Sequence, residues 1–309
     1  MRTRTLGTGG PDVSVVGLGC NNFGSRVDER GTRAVVDAAL EAGVTLFDTA
    51  DVYGNRGGSE ELLGKALEGR RDRAVLATKF GHAMSDDAPP NRGSREYVRT
   101  AIEASLKRLR TDVLDLYQYH RPDGVTPLEE TLGAMSELVD EGKVRFIGSS
   151  NFDSAQIVEA DELAREHSWH RFVSAQNEYS LLERRAEEEL LPACERLGIG
   201  VLPYFPLASG LLTGKYRRGK PAPAGTRLAL RPERLTAEVF DELERLEAFA
   251  KERGHTLLEL AIAGLLAHPV VSSVIAGATK PEQVRVNAPA GEWELDEHDL
   301  KALRAVLDG

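Results

Sequence analysis

Four polar residues that can hold or move a proton lie at the downstream ends of short apolar runs: Asp48, Tyr53, Lys79 and His120. The runs have the length of strands, and the carboxyl ends of parallel strands in a barrel open onto one face. We therefore expect the four side chains to meet. A cationic Lys79 would stabilise the phenolate of Tyr53 and lower its pKa from about 10, and Asp48 would keep the lysine charged. The predicted chemistry is acid catalysis coupled to hydride transfer.

Each of these residues also has a common structural use. Asp48 could cap a helix, although Asp51 or Ser59 in the same region could take that role and leave Asp48 free. His120 could be a core histidine satisfied by its neighbours. Lys79 is more informative, because a lysine at the end of an apolar strand cannot easily reach water and needs a carboxylate or a chemical task. A Schiff-base aldolase is an alternative that would explain Lys79 but not its companions.

The elements that must position these residues alternate between strands and amphipathic helices, which indicates a parallel sheet. We predict one domain, residues 1–309, folded as a single (β/α)8 TIM barrel with an N-terminal β-hairpin of 2–6 against 13–17. The predicted barrel strands are 14–19, 44–48, 74–79, 113–119, 144–148, 172–176, 199–204 and 272–276.

Helix boundaries are marked by local signals. Ser94 is the predicted N-cap of a helix over 94–110 that buries a stripe of Val98, Ile102, Leu106 and Leu109. Further helices are predicted over 59–67, 126–141, 255–268 and 296–307. The connections 81–93 and 208–237 are long and rich in Gly and Pro, which is typical of functional loops on the catalytic face of a barrel.

Composition narrows the class of partner. The formal charge of −10 and the pI of about 5.3 argue against binding nucleic acid or an anionic membrane through a general positive field. No apolar run approaches a membrane span, and Cys20 and Cys194 form no disulfide framework, so we expect a cytoplasmic protein. His167 and His170 have helical spacing, but a solvated helix end explains them better, and we assign no metal.

The sequence resembles the aldo-keto reductase superfamily. The resemblance rests on DTADVY at 48–53, TK at 78–79, YH at 119–120, GSSNF at 148–152, QNEY at 176–179, YFPLASGLLTGKY at 204–216 and IAGATKPEQVRVN at 275–287. These motifs occur in family order and cover nearly the whole chain. The resemblance implies that Tyr53 protonates a carbonyl oxygen while the Nε2 of His120 donates a hydrogen bond to the same atom.

Hydride transfer needs a nicotinamide cofactor, because no side chain supplies hydride. The glycines at 7–10 and 17–19 do not complete a Rossmann fingerprint, and 210–215 does not fit a P-loop, so we expect binding at the top of the barrel. The resemblance places the nicotinamide amide against Ser150, Asn151 and Gln176, although Asn151 could equally cap the following helix. The full expected cofactor set is Cys20, Asn21, Asp48, Ser150, Asn151, Gln176, Tyr204, Leu207, Ser209, Leu211, Lys215, Arg227, Gly277, Thr279, Lys280, Gln283 and Asn287.

Thr279, Lys280 and Gln283 favour NADPH over NADH, because they would surround the adenosine 2′-phosphate at the first turn of a helix that begins with Pro281. Two positions depart from the family. Asn21 stands where an aromatic residue or Met is common, and Val286 stands where an acid normally holds the adenine amine. Adenine binding is therefore the contact with least support.

The expected reaction is the reduction of an aldehyde or ketone to an alcohol, or its reverse. A nucleotide-binding regulatory subunit with vestigial turnover is the alternative from another class. His120 argues against it, because the channel-associated branch of the family carries asparagine there. The sequence identifies neither the carbonyl substrate nor the oligomeric state.

Overall fold

A computed structural model describes residues 1–309 as a (β/α)8 barrel preceded by a two-stranded antiparallel hairpin. The eight barrel strands are all parallel and neighbour one another in chain order, with the last strand beside the first. The last strands close the barrel, because the Val201 N–H donates to the Val270 carbonyl (2.8 Å) and the Ile275 N–H to the Pro203 carbonyl (3.0 Å). The strands are β1 Thr3–Thr5, β2 Asp12–Ser14, β3 Val16–Gly19, β4 Leu46–Asp48, β5 Val75–Phe80, β6 Leu114–Tyr119, β7 Val144–Ser150, β8 Phe172–Gln176, β9 Gly200–Val201 and β10 Val274–Gly277.

The barrel and the hairpin are therefore confirmed, with one refinement: the hairpin strand and the first barrel strand, which overlapped in the prediction, separate at Val15. Ser94 caps the helix Arg95–Leu109 as expected, by accepting from the Tyr97 N–H. Asn151 does not cap the helix Ser154–Glu166; Asp153 does, within a capping box. No helix is both long and apolar enough to span a bilayer. The helices are α1 Glu29–Glu41, α2 Tyr53–Ala66, α3 Arg95–Leu109, α4 Leu128–Asp140, α5 Ser154–Glu166, α6 Leu190–Leu197, α7 Ala237–Glu252, α8 Leu257–Leu266, α9 Pro281–Asn287 and α10 Glu297–Asp308.

The hairpin closes the amino-terminal end of the barrel. Leu6 and Val13 are fully buried and pack with the lower interior residues of the barrel strands. The side chain of Arg4 reinforces this contact by donating to the carbonyls of Leu266, His268 and Val271. One end of the barrel is thus sealed, and a ligand can enter only from the carboxyl ends of the strands.

The interior of the barrel changes from apolar to polar along each strand. Side chains two residues apart share a face. Leu46, Ala77 and Leu116 form the apolar layer. Two residues farther along the same strands stand Asp48, Lys79 and Gln118, all buried. The period of two therefore places a polar layer directly beneath the open face.

The two long connections are present as predicted. Residues 81–94 join β5 to α3 without regular structure, and the connection after β9 contains three 3-10 turns before α7. A third feature was not foreseen: α2 begins at Tyr53, but residues 54–57 have positive φ, including Asn55 at 62° and Arg56 at 67°. Only a segment over-determined by its surroundings keeps non-glycine residues in this region. This left-handed turn follows Tyr53 directly and holds its backbone in position at the start of α2.

Candidate active site

A buried ion pair forms the base of the open end. The Nζ of Lys79 lies 2.7 Å from Oδ2 of Asp48 and also donates to the Thr49 carbonyl at 2.8 Å. Lys79 has no exposed surface. Burial alone would lower the pKa of Lys79, but the charge of Asp48, followed by that of Tyr53, outweighs burial and raises the pKa. The prediction that Asp48 keeps Lys79 charged agrees with this geometry.

The other carboxylate oxygen of Asp48 is held by amides. Its Oδ1 accepts from Gln176 Nε2 at 2.8 Å and from Gln118 Nε2 at 3.3 Å. Gln118 was missed in the sequence, although strand periodicity could have identified it, because it lies two residues after Leu116 and two before His120. The amides fix the carboxylate rotamer, so that Oδ2 faces the lysine.

Tyr53 stands over this ion pair at the start of α2. The Nζ of Lys79 is 5.1 Å from the centroid of the Tyr53 ring. The expected lowering of the Tyr53 pKa is not found: burial raises it, and the opposing charge of Lys79 only partly offsets burial. The lysine effect has the predicted sign, but it is smaller than the effect of burial on this half-buried ring.

His120 faces Tyr53 from the end of β6. The two ring centroids are 5.6 Å apart and the rings meet edge to face at 87°. Burial, together with the positive charge of Lys79, lowers the pKa of His120 to about 2, so the imidazole is neutral at physiological pH. Its Nδ1 is enclosed without a hydrogen-bond partner, which favours placing the ring proton on Nε2. The structure thus places a neutral imidazole next to the phenol, and the role of His120 in orienting a carbonyl stays a prediction.

Above these residues is an open cavity of about 670 Å³. Asp48, Tyr53 and His120 line it, whereas Lys79 lies behind Asp48. Among the expected cofactor residues, Leu211 is buried in the core and Lys280 is exposed outside the cavity. All the others line the wall: Cys20, Asn21, Asp48, Ser150, Asn151, Gln176, Tyr204, Leu207, Ser209, Lys215, Arg227, Gly277, Thr279, Gln283 and Asn287.

Amide and hydroxyl groups converge where β7 and β8 end. Asn151 Nδ2 donates to the His120 carbonyl and to Ser150 Oγ, at 2.9 and 3.0 Å. Its Oδ1 accepts from the Tyr204 hydroxyl at 2.8 Å. Asn151 has a φ of 59°, a conformation that asparagine tolerates better than most residues. The cluster links the wall of the cavity to His120 and offers donors and acceptors to a planar amide.

Positive charge reaches the cavity at two points of the loop after β9. Lys215 and Arg227 line the wall, and neither has a carboxylate within salt-bridge distance. Arg217 and Arg218 instead form ion pairs with acids of α7, such as Glu247 at 2.5 Å, so they are directed away from the cavity.

The N-terminus of α9 differs from the expectation in one respect. Pro281 occupies the first helical position as predicted. The N–H groups of Thr279 and Lys280 are not free, because both donate to Oε1 of Gln283, at 2.7 and 3.2 Å. An anion would have to displace this side chain.

Several lining residues were not anticipated. Phe205 is 40% exposed with a φ of 53°, and the Arg227 guanidinium carbon lies 5.6 Å from the centroid of its ring. Asn22 accepts from Arg227 at 3.4 Å, and Arg26 contributes a further cation to the wall. The sequence signal that could have identified Phe205 is an aromatic residue directly before Pro206, in a loop on the open face of the barrel.

Known proteins are similar to this chain over nearly its whole length. The family model for the Aldo/keto reductase family matches residues 15–308. The chain belongs to the aldo/keto reductase family. It is 41% identical to "Uncharacterized oxidoreductase YrpG" of Bacillus subtilis (strain 168), over 98% of this chain and 95% of the relative. It is 39% identical to "Probable aldo-keto reductase 1" of Glycine max, over 96% and 86%. It is 37% identical to "Probable voltage-gated potassium channel subunit beta" of Oryza sativa subsp. japonica, over 94% and 91%.

Proposed function

We propose that this aldo/keto reductase family oxidoreductase uses NADPH to reduce a small aldehyde or ketone to an alcohol, or catalyses the reverse reaction, in the cytoplasm. One observation carries the proposal: Tyr53 lies over a fully buried Lys79–Asp48 ion pair and faces a neutral His120 across the floor of the cavity. We further propose a small-molecule substrate rather than a nucleic acid or membrane partner, in keeping with the acidic composition.

The residues of the cavity fit a nicotinamide dinucleotide phosphate. Lys215 and Arg227 are cations without a carboxylate partner in a protein of net charge −10, and uncompensated cations in a cleft favour phosphate. Ser150, Asn151 and Gln176 would hold the carboxamide, and the aromatic ring of Tyr204 would contact the nicotinamide. When bound, the cofactor would supply the hydride.

Residues of the protein would carry out the proton transfer. Tyr53 donates its phenolic proton to the carbonyl oxygen, and the ammonium of Lys79 stabilises the resulting phenolate. His120 donates a hydrogen bond to the same oxygen and so orients the carbonyl. In the reverse direction the phenolate accepts the proton of the alcohol. Lys79 has no exposed surface and Asp48 has almost none, and this burial strengthens their effect on the phenol.

Tyr53→Phe tests this proton transfer. We expect it to lower kcat for NADPH-dependent aldehyde reduction by a factor of at least about 10³, while the Kd for NADPH changes less than about threefold, because only the transferred proton is lost. Tyr216→Phe is a matched control, since its buried hydroxyl has no hydrogen-bond partner. Near-normal turnover by Tyr53→Phe would refute the mechanism.

The preference for NADPH requires its own test. Charge-assisted hydrogen bonds to a 2′-phosphate contribute roughly 1.5 kcal/mol more binding free energy than hydrogen bonds to a 2′-hydroxyl. NADPH should therefore bind about ten- to hundredfold more tightly than NADH, and this preference should decrease at high salt. Arg227→Ala and Lys280→Ala should reduce the preference, because Arg227 lines the cavity and Lys280 adjoins Thr279, which also lines it. Lys220→Ala should not, because Lys220 is exposed and neither of its chain neighbours lines the cavity. Equal Kd values for the two cofactors in the wild type would contradict the proposal.

Two alternatives make different predictions. A regulatory subunit, suggested by the rice relative, would bind the cofactor yet show no multiple turnover with any of a panel of reactive aldehydes. A Schiff-base aldolase would be trapped at Lys79 by borohydride. The geometry disfavours the aldolase, because Lys79 is fully enclosed, hydrogen-bonded and charged, and an ammonium cannot attack a carbonyl.

A further inference from the structure

The carboxyl group of Asp51 is buried without a cation or a side-chain partner. The residue is 1% exposed, and neither side-chain oxygen makes a hydrogen bond of good geometry; the only hydrogen-bond donor that acts on it is the adjoining Val52 N–H. The protein's other buried carboxyl groups, those of Asp48, Glu60 and Asp161, are each bonded to a cation. The Asp51 N–H donates to the Lys79 carbonyl at 3.0 Å, which fixes the residue against β5. Asp51 is therefore the one buried acid of the protein that no cation pairs with, and its backbone is held in place by a hydrogen bond to β5.

The nearby cations are already committed to other acids. Lys79 pairs with Asp48 at 2.7 Å, and the Nε of Arg108 pairs with Glu60 at 2.6 Å. Glu60 also accepts from the Thr78 hydroxyl. Three carboxyl groups thus face two cations, and the unpaired one is that of Asp51. An unpaired buried carboxylate is costly, and the group avoids this cost by keeping its proton.

Asp51 interacts electrostatically with titratable groups on four elements. They are Tyr53 and Glu60 of α2, Lys79 of β5, Tyr117 of β6, and Tyr97 and Arg108 of α3. Burial, followed by the negative charge of Glu60, raises the pKa of Asp51 to about 8, against the smaller opposing effects of the Val52 N–H, Arg108 and Lys79. The Tyr117 hydroxyl is also enclosed without a partner, so it provides Asp51 with no hydrogen bond.

We propose that Asp51 is a positioning residue that acts through Tyr53: it remains protonated at neutral pH and so keeps negative charge away from the loop that carries the phenol. The inference rests on the role of Tyr53 in the proposed function. A charged Asp51 raises the pKa of Tyr53, in the same direction as burial and Asp48 and against Lys79. The two groups therefore titrate as a coupled pair, in which ionisation of one disfavours ionisation of the other.

This coupling matters most for alcohol oxidation, which needs the phenolate of Tyr53. In the wild type, Asp51 ionises as the pH rises and opposes formation of the phenolate. Asp51→Asn has nearly the same shape but cannot ionise. We expect the apparent pKa of Tyr53 in this variant to be lower by about one unit, the usual effect of removing a nearby like charge. The rise of kcat for oxidation with pH should shift by the same amount.

The first readout needs no turnover. The titration of Tyr53 is measured as tyrosinate absorbance, taken as the difference between each protein and its Tyr53→Phe counterpart. Asp112→Asn, an exposed aspartate with no ion pair or hydrogen bond, is the matched control and should titrate like the wild type. The second readout is kcat for alcohol oxidation with NADP+ from neutral to alkaline pH. Identical Tyr53 titrations in the wild type and Asp51→Asn overturn the proposal, as does a lower kcat with an unchanged pH profile.

Failure of the proposed function is distinguishable from failure of this inference. A wild type without turnover refutes the carbonyl reductase assignment, whereas the tyrosinate titration still decides the role of Asp51. If Asp51→Asn does not fold, the infrared spectrum of the wild type provides the test. A protonated carboxyl band present at neutral pH and lost at alkaline pH supports a protonated Asp51, and absence of that band at neutral pH overturns it.

Discussion

Replacing Asp48 by asparagine should destabilise the protein strongly, because it leaves a buried cation without its counter-ion. Lys79 has no exposed surface and would keep only the Thr49 carbonyl, at 2.8 Å. The amide oxygen of an asparagine could still accept from Gln176, so the loss comes mainly from the charge. Removing one partner of a buried pair typically costs about 3–5 kcal/mol. We expect Asp48→Asn to lower the free energy of unfolding by that amount at pH 7.

A double-mutant cycle separates the charge interaction from the loss of shape. Lys79→Met should also cost roughly 3 kcal/mol, because it leaves the Asp48 carboxylate with only amide donors, whereas the double variant carries neither charge and should lose only about 1–2 kcal/mol. The coupling energy should thus be several kcal/mol. Urea unfolding followed by circular dichroism gives each value, provided the slope with denaturant is unchanged.

The sign of the pH dependence provides an independent check. The folded pKa of Lys79 is raised, so the pair stabilises the wild type throughout neutral pH and loses this effect only above the ordinary lysine value of 10.5. In Asp48→Asn, burial should instead lower the folded pKa. The variant should therefore lose stability as pH falls below 10.5, and its deficit should shrink on raising the pH.

An exposed ion pair of similar length is the control. Lys65 and Glu29 are 2.6 Å apart, but their side chains are 39% and 63% exposed. Glu29→Gln should cost less than about 1 kcal/mol, because water screens surface pairs. If Asp48→Asn costs no more than Glu29→Gln, or if the cycle shows no coupling, the assignment of a charged, desolvated pair is refuted.

Two further predictions concern packing and protonation. Gly64→Ala should destabilise the fold by about 2 kcal/mol, because its Cβ would lie 2.7 Å from the Arg108 carbonyl oxygen. Gly58→Ala in the same helix is the control: its Cβ would meet nothing closer than 3.7 Å, so the substitution should be neutral or stabilising. Urea unfolding measures both free energies. Burial lowers the pKa of His120 to about 2, so its imidazole should remain neutral across the physiological pH range. An NMR titration, with the His120 signals assigned by comparison with His120→Gln, measures this. A midpoint near the ordinary pKa of 6.5 would refute the enclosed geometry.

The polar layer of the barrel was predictable because it depends on strand periodicity alone. A period of two, applied to Leu46 and Ala77, places Asp48 and Lys79 on the interior face at the carboxyl ends. Parallel pairing then brings them together without knowledge of any loop. The same rule would have added Gln118, which contacts Asp48, had it been applied to β6.

Features that depend on side-chain competition were less predictable. Lys280 has the charge expected near a 2′-phosphate, but its position outside the cavity depends on how the chain enters the seven-residue helix α9. Arg217 and Arg218 lie in the loop where positive charge was expected, yet acids of α7 bind them. A linear sequence shows which charges are present, but their pairing depends on helix packing far along the chain.

The segment 48–53 shows why pairing decides the chemistry. Asp48 lies on the interior face of the barrel and pairs with Lys79. Asp51 interacts with groups of α2, α3, β5 and β6, but Lys79 is paired with Asp48 and Arg108 with Glu60. Two aspartates three residues apart therefore differ in their partners, because Asp48 is paired with a cation and Asp51 is not. Tyr53 follows both of them, and its acidity depends on the balance: Asp48 acts mostly by keeping the lysine charged, and Asp51 acts by remaining neutral. A different packing of α3 would move Arg108 and change which of Glu60 and Asp51 is paired with it, and the pKa of the Tyr53 phenol would change as a result.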